Sequence, residues 1–162
     1  MRKSRSVLWR GGGAWAALLA LFVLAPGTAA AAIPQAERDA LIDLYDSTGG
    51  PAWTDSAGWL GAPGTECSWS VVGCDGTEST VTDLALAYRG LAGPLPASLG
   101  NLTGVQALDL SGNQLTGGIP PELGNLASAL RLRLHANRLD GPIPGELGGL
   151  ALVKNAIAQA RR

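Results

Sequence analysis

The chain has 162 residues, which is enough for one domain of ordinary size. Its 23 glycines and 10 prolines recur at fixed positions of an internal repeat, so the composition does not indicate a disordered chain. Four of the 12 basic residues lie among the first ten residues. The rest of the chain has 8 basic and 13 acidic residues, so its formal net charge is −5. This charge gives no electrostatic reason to expect nucleic-acid binding.

Residues 1–32 have the organisation of an export signal. A basic start is followed by an apolar run from Ala14 to Ala25 and then by small residues, which is typical of a secretory signal peptide. The apolar run is shorter than the roughly 20 residues needed to span a bilayer. We therefore predict cleavage after Ala30 or Ala32 and a secreted or cell-surface protein without a membrane span in the mature chain. An uncleaved anchor is the alternative.

Residues 34–48 are predicted to form one amphipathic helix. Apolar residues recur at helical spacing from Ala36 to Tyr45, while Glu37, Arg38 and three aspartates occupy the other face. The acidic residues of this face could suggest a metal site, but no second cluster of metal ligands faces them. We therefore interpret the charged face as solvated. Glycines and a proline at 49–51 end the helix.

The next segment, residues 52–80, has no clean periodicity and contains three tryptophans and both cysteines of the chain. In an exported chain, a pair as close as Cys67 and Cys74 is most simply a disulfide. Closing so short a loop contributes about 2–3 kcal/mol through the chain entropy of the unfolded state. A zinc site needs about four ligands, and His135 is the only histidine, so zinc is not expected.

The stretch from Val81 to Leu152 repeats one pattern three times at a step of 24 residues. Eight apolar positions align between the repeats, as Leu84, Leu108 and Leu132 do. A fixed period in this range indicates a solenoid, in which no repeat buries its apolar face alone. The alternating Leu-x-Leu of each repeat predicts a short strand with inward leucines, and successive strands stack in parallel about 4.8 Å apart on the concave face.

The remainder of each repeat is predicted to return the chain to the next strand. Gly117 to Pro120 and their equivalents turn the chain across the side of the coil. Leu123 to Leu126 and their equivalents run along the convex face as a short 3₁₀ turn. The coil is expected to be right-handed, as parallel strand crossovers almost always are.

Residues 37–74 resemble the N-terminal cap of extracellular leucine-rich repeat proteins. They contain the cap's Gly-Pro-x-Trp-Thr stretch, its Gly-Trp and its Cys-x-Trp-x-x-Val-x-Cys closure, with Val71 where the pattern has glycine. The repeats resemble the plant-specific type, as VQALDLSGNQLTGGIPPELGNL at 105–126 illustrates. The resemblance implies an α/β solenoid, a right-handed leucine-rich repeat coil with a disulfide-closed cap at 33–80 and three repeats at 81–152.

Asn113 and Asn137 hold the same place after the strands of the second and third repeats. We interpret them as structural residues, because a buried backbone group left unpaired costs about 1–3 kcal/mol. Arg89 holds this place in the first repeat and is expected to point to solvent. Asn101 begins a formal N-glycosylation sequon, Asn-Leu-Thr, which is also the ordinary tail of such a repeat.

Residues 153–162 are predicted to be a degenerate or truncated end. A fourth repeat opens at Val153, but its leucine positions fall on Ala156 and Ala158. Solenoids need a polar terminal unit. We expect either that residues 154–162 fold over as a short helix or that the chain is a truncated member of a longer family.

Outward-facing residues of the predicted strands form the candidate ligand-binding site on the concave face. Asp109 and Arg133 share a position in neighbouring repeats, which predicts either an exposed cross-strand ion pair or part of a ligand-contacting patch. The candidate contact residues are Asp83, Tyr88, Gln106, Asp109, Ser111, Arg131, Arg133 and His135.

Ser111, His135 and Asp109 also fall close together, which suggests a hydrolase. We reject this hypothesis, because an open, solvated face offers neither oxyanion donors nor a pocket that excludes water. We expect no enzymatic activity, no cofactor and no metal site.

Two functions fit the sequence. The first is a secreted or cell-surface, non-catalytic recognition module that binds protein, peptide or polysaccharide through its concave face, as the resemblance implies. The second is a structural fragment of a longer leucine-rich repeat receptor or adhesin with little binding of its own. Three repeats provide little more than the roughly 800 Å² per partner of a specific interface.

Overall fold

A computed structural model describes residues 32–150, which contain one α-helix and seven short strands. Two predicted segments lie outside these described residues. They are the export signal at residues 1–32, apart from Ala32, and the end at residues 153–162. The helix is α1 (Gln35–Ser47). The strands are β1 (Val72–Cys74), β2 (Val81–Ala85), β3 (Ala92–Pro94), β4 (Ala107–Asp109), β5 (Gln114–Gly117), β6 (Arg131–Arg133) and β7 (Arg138–Leu139).

The strands β2, β4 and β6 form the parallel sheet of the concave face. Each residue pairs with the residue 24 positions later, so Leu84, Leu108 and Leu132 form one buried column. Strand β1 pairs antiparallel with β2 and covers the edge that the first repeat would otherwise leave open. The sheet confirms the predicted solenoid.

A second parallel sheet, β3-β5-β7, was not predicted. Gly117, the first residue of the predicted turn, is the last residue of β5, pairs with Leu139 and has a φ of 73°. No period-2 pattern marks these strands, because they have only two to four residues and carry glycine and polar residues. Repetition of the backbone path brings them into register.

The convex face is built from three short 3₁₀ turns, as predicted. They span Ala97–Asn101, Pro121–Asn125 and Gly145–Gly149, and each buries one leucine. Almost all of the aligned apolar columns are buried. Ile143 departs from its column, with 42% of its surface exposed in the last repeat that the structure describes.

The helix α1 packs its apolar face against the first repeat, with Ala40, Leu41 and Leu44 fully buried. The predicted solvated face is wrong at Glu37, which is only 4% exposed. Its carboxylate accepts hydrogen bonds of 2.7 Å from the Thr80 hydroxyl and from the Val81 backbone N–H. Glu37 therefore satisfies buried groups where the first repeat begins.

Arg38 also departs from the solvated face. Its guanidinium forms an ion pair with the buried carboxylate of Glu66, donates to the Gly61 carbonyl at 2.6 Å and lies 5.3 Å from the centre of the Trp69 ring. The cation therefore fastens the helix to the irregular segment that follows it.

The irregular segment is held by aromatic packing and by the Cys67–Cys74 disulfide, which is present as predicted. Consecutive rings of Tyr45, Trp53, Trp59 and Trp69 have centroids 4.9–5.2 Å apart. Val71, the departure from the family pattern, has a φ of 65°. This left-handed conformation favours glycine, so the valine accepts local backbone strain.

Asn113 lies buried behind the concave strands and saturates its amide with backbone groups. Its Oδ1 accepts from three successive N–H groups at 89–91, and its Nδ2 donates to three carbonyls, including that of Leu110. Asn137 repeats the arrangement with four such bonds. Arg89, expected to point to solvent, is half-buried, and its guanidinium pairs with Asp55 at 3.2 Å.

Candidate functional site

The concave face presents two adjacent columns of outward residues, fixed by the pairing of β2, β4 and β6. We call Asp83, Ala107 and Arg131 the open column, and Ala85, Asp109 and Arg133 the paired column. In the paired column the two charges lie on neighbouring strands. In the open column an alanine separates them.

The paired column neutralises its own charges. The Arg133 guanidinium donates to the Asp109 carboxylate at 2.9 Å, and the Ser111 hydroxyl donates to the same carboxylate at 2.6 Å. Burial raises the pKa of Asp109, but these hydrogen bonds outweigh it, so the pKa lies below its usual range. Of the two predicted roles, the structure shows the cross-strand ion pair.

The open column leaves its charges unpaired. Asp83 and Arg131 are both exposed, and neither side chain has a hydrogen-bond or ion-pair partner among residues 32–150. Their strands are two steps apart, about 9.6 Å at the usual spacing of 4.8 Å. The small side chain of Ala107 between them fills little of this gap.

A shallow cleft of about 180 Å³ lies over the open column. Ala107 lies between the two charged residues, and Gln106 and Leu130 complete its lining. Leu130 exposes 60% of its surface and so offers an apolar contact. The cleft therefore combines two opposite charges, a side-chain amide and an apolar contact.

Tyr88 provides the largest exposed aromatic surface of the concave face, at 72%. A Cβ atom at Gly112 would lie 2.2 Å from its ring, so the ring covers the backbone of the next repeat. Tyr88, Gly112 and Ala136 occupy equivalent positions and all have a positive φ, between 55° and 68°. Tyrosine and alanine adopt this conformation at the equivalent positions, so in the middle repeat it is the Tyr88 ring that requires glycine.

Two predicted contact residues are less accessible than expected. Ser111 is only 3% exposed, because its hydroxyl turns back to the Asp109 carboxylate. His135 is half-buried, and no hydrogen bond joins its side chain to Ser111 in the described part of the chain. Ser111 and His135 are therefore not arranged as a nucleophile and its base, because the Ser111 hydroxyl donates to Asp109 instead.

The sequence places Ala107 and Leu130 among the outward residues of the concave strands, but they are not among the eight candidate contact residues. Both occupy outward positions in the 24-residue period, and that position was the available signal. The side chain of Ala107 carries no functional group. Its importance comes from the space that it leaves between two charges.

Other candidate features lie away from the cleft. Asn101 and Thr103 of the sequon are both exposed, at the end of the first 3₁₀ turn. Within residues 32–150, no group of three or more His, Cys, Asp or Glu side chains could hold a metal ion. In the same range no helix has the length and apolarity required to cross a bilayer.

Comparison with known proteins finds leucine-rich repeat sequences and structures. The sequence profile of the Leucine Rich Repeat family matches residues 104–126. The chain is 41% identical over 97 residues to "Receptor protein kinase WSS1" of Oryza sativa subsp. japonica. The match covers 59% of this chain but only 9% of the rice protein, so the chain corresponds to a small part of that relative's length.

Two solved ectodomains from Arabidopsis thaliana have similar folds. The BIR2 ectodomain superposes with a TM-score of 0.64 and 32% identity, covering 72% of this chain and 62% of that one. The ectodomain of the receptor kinase GASSHO1/SCHENGEN3, in complex with CASPARIAN STRIP INTEGRITY FACTOR 2, superposes with a TM-score of 0.63 and 34% identity. That superposition covers 70% of this chain and 14% of the receptor.

Proposed function

We propose that this chain, a leucine-rich repeat protein with plant-specific-type repeats and an N-terminal cap, is a secreted or cell-surface recognition module. It binds a protein or peptide ligand through its concave face and catalyses no reaction. One of the similar ectodomains was solved in complex with CASPARIAN STRIP INTEGRITY FACTOR 2, which supports a binding role.

The observation that carries this proposal is the open column. The open column does not pair its charges as the paired column does through Arg133 and Asp109. Instead Asp83 and Arg131 stay unpaired beside the exposed Leu130, within one cleft. Unpaired polar groups around an exposed apolar side chain are typical of recognition surfaces.

A ligand selection with a steric block tests the proposal. Peptides from a random dodecamer library are selected on the purified chain and their affinities are measured for two variants. Ala107→Trp fills the cleft, and Ala127→Trp places the same bulk on an exposed position outside the sheet. We expect at least a tenfold loss of affinity with Ala107→Trp and little change with Ala127→Trp.

Equal binding by both tryptophan variants would contradict a concave site. Failure to enrich any peptide, with enrichment of oligosaccharides in a parallel glycan array, would replace the peptide ligand by a polysaccharide. The second candidate function, a structural fragment with little binding of its own, predicts that neither selection enriches a ligand. This second function is favoured by the small size of the concave sheet, in which β2, β4 and β6 are the parallel strands among the described residues.

A further inference from the structure

We propose that the cleft over Ala107 selects an extended peptide segment that carries one cationic and one anionic side chain at positions i and i+2. The cation lies beside Asp83 and the anion beside Arg131. This inference rests on the proposed function and specifies the chemistry of its ligand.

The two charges of the open column are available because neither side chain has an ion-pair or hydrogen-bond partner among residues 32–150. Their strands are about 9.6 Å apart, twice the spacing that separates the strands of Asp109 and Arg133. Arg131 lies two strands away from Asp83, whereas Arg133 lies on the strand adjacent to Asp109 and is within hydrogen-bond distance of it. An alanine in the middle strand therefore converts an internal pair into two external binding groups.

The dimensions of the cleft fit a short extended segment. Side chains at i and i+2 of an extended peptide point to the same side and lie roughly 6.6 Å apart along the backbone. The flexible side chains of Arg131 and of a ligand lysine or glutamate cover the remaining 3 Å. The ligand side chain at i+1 points away from the sheet, and its backbone passes over Ala107, where there is no bulk to obstruct it.

The same charges disfavour other ligands. A segment with two cations would place one of them against Arg131, and a segment with two anions would place one against Asp83. Like charges brought together in this way reduce affinity and so provide specificity. Reversing the peptide sequence alone does not test the idea, because the reversed peptide can bind in the opposite chain direction.

Four capped synthetic peptides and two single charge reversals provide the test. The peptides are acetyl-Ala-Xaa-Ala-Zaa-Ala-amide with Lys and Glu, Lys and Lys, Glu and Glu, or Ala and Ala at the two variable positions. Affinity is measured by NMR titration of the Ala107 backbone amide of the full chain. We expect the Lys/Glu peptide to bind at least fivefold more tightly than the other three, and the difference to shrink between 50 and 500 mM salt.

The charge reversals predict a change of preference, which a misfolded variant would not produce. With Asp83→Arg both protein charges are positive, so the Glu/Glu peptide becomes the tightest ligand. With Arg131→Glu both are negative, so the Lys/Lys peptide becomes the tightest. Glu122→Arg, on an exposed convex position, is the matched control and leaves the order unchanged.

Several results would overturn the inference. They are equal binding of the Ala/Ala and Lys/Glu peptides, an unchanged order of affinities in both reversals, or no response of Ala107 to any of the four peptides. The proposed function is judged separately. Selected peptides that lack charged pairs but are blocked by Ala107→Trp would support concave binding and reject this inference.

Discussion

The cap, here the elements from α1 to β1, and the repeats that follow are stabilised in different ways. The repeats reuse the same contacts every 24 residues, so strands, 3₁₀ turns and buried leucines recur in register. The cap uses contacts that occur once, including a disulfide, an aromatic cluster and a buried ion pair. When a cap contact is lost, no equivalent contact elsewhere in the cap compensates for the lost stability.

The junction between the two regions shows where one scheme replaces the other. Arg89 takes the place that asparagine holds in later repeats, and the cap supplies its partner, Asp55. The Thr54 backbone N–H also donates to the Arg89 carbonyl at 2.9 Å. The repeat position is therefore kept, but its partner comes from the cap instead of from the preceding repeat.

The sharpest test of the cap is its buried ion pair. Glu66→Ala leaves the Arg38 guanidinium, 11% exposed, without its carboxylate partner. We expect the free energy of unfolding to fall by about 3–5 kcal/mol, the usual cost of breaking a buried pair from one side. Urea denaturation measures it.

The control replaces both partners of this pair. The double variant Arg38→Met/Glu66→Leu removes the uncompensated charge, so it should be more stable than Glu66→Ala alone. If the single variant proved at least as stable as the double, the pair would not be the contact that fastens the helix.

The asparagines test whether repeats are equivalent. Asn113→Ala leaves several buried backbone groups unpaired and should cost about 2–4 kcal/mol, at about 1–3 kcal/mol for each group that finds no substitute. Asn137→Ala removes four bonds instead of six, from a half-buried position, and should cost about half as much. Equal costs in urea denaturation would show that position along the coil does not matter.

The disulfide provides the next largest effect. The variant Cys67→Ser/Cys74→Ser removes the covalent closure of the cap, and we expect the free energy of unfolding to fall by about 2–3 kcal/mol. Adding a reducing agent to the wild-type chain should lower its Tm to nearly that of the variant. A Tm that reduction does not change would separate the disulfide from the stability of the cap.

How far the sequence predicts the structure follows the same division. In the repeats, the period assigns Leu108 to the core, because its equivalents Leu84 and Leu132 repeat the same environment. Glu37 was misassigned, because its partners Thr80 and Val81 lie 43 and 44 residues away and no local pattern reveals them. Helical spacing places Glu37 on the polar face, whereas tertiary contact buries it.

The candidate site was predictable to the same extent. Shared columns predicted that Asp109 and Arg133 would meet, since cross-strand neighbours depend only on register. The burial of Ser111 depends on the direction that its side chain takes, which the period does not fix. The cleft was missed because it arises from the gap over Ala107 and not from a residue with a functional group.

The smallest expected effect concerns the ion pair between Arg133 and Asp109, which is more exposed than the ion pair of the cap. In a double-mutant cycle with Asp109→Ala and Arg133→Ala, we expect a coupling of about 0.2–1 kcal/mol, because the Arg133 and Asp109 side chains expose 47% and 20% of their surface. The same cycle on Asp83 and Arg131 is the matched control and should give a coupling near zero, since those charges do not meet.

The pH dependence of this coupling has a definite sign. The folded pKa of Asp109 lies below its usual value of 3.8, because the hydrogen bonds from Ser111 and Arg133 outweigh the opposing effect of burial. The unfolded chain therefore binds the proton more readily, and the stabilisation is fully present above pH 3.8 and is lost as the pH falls through the lower folded pKa. Coupling measured at pH 7 should thus exceed that at pH 2, and coupling that grows on acidification would show that the Asp109 carboxylate is not stabilised by its partners.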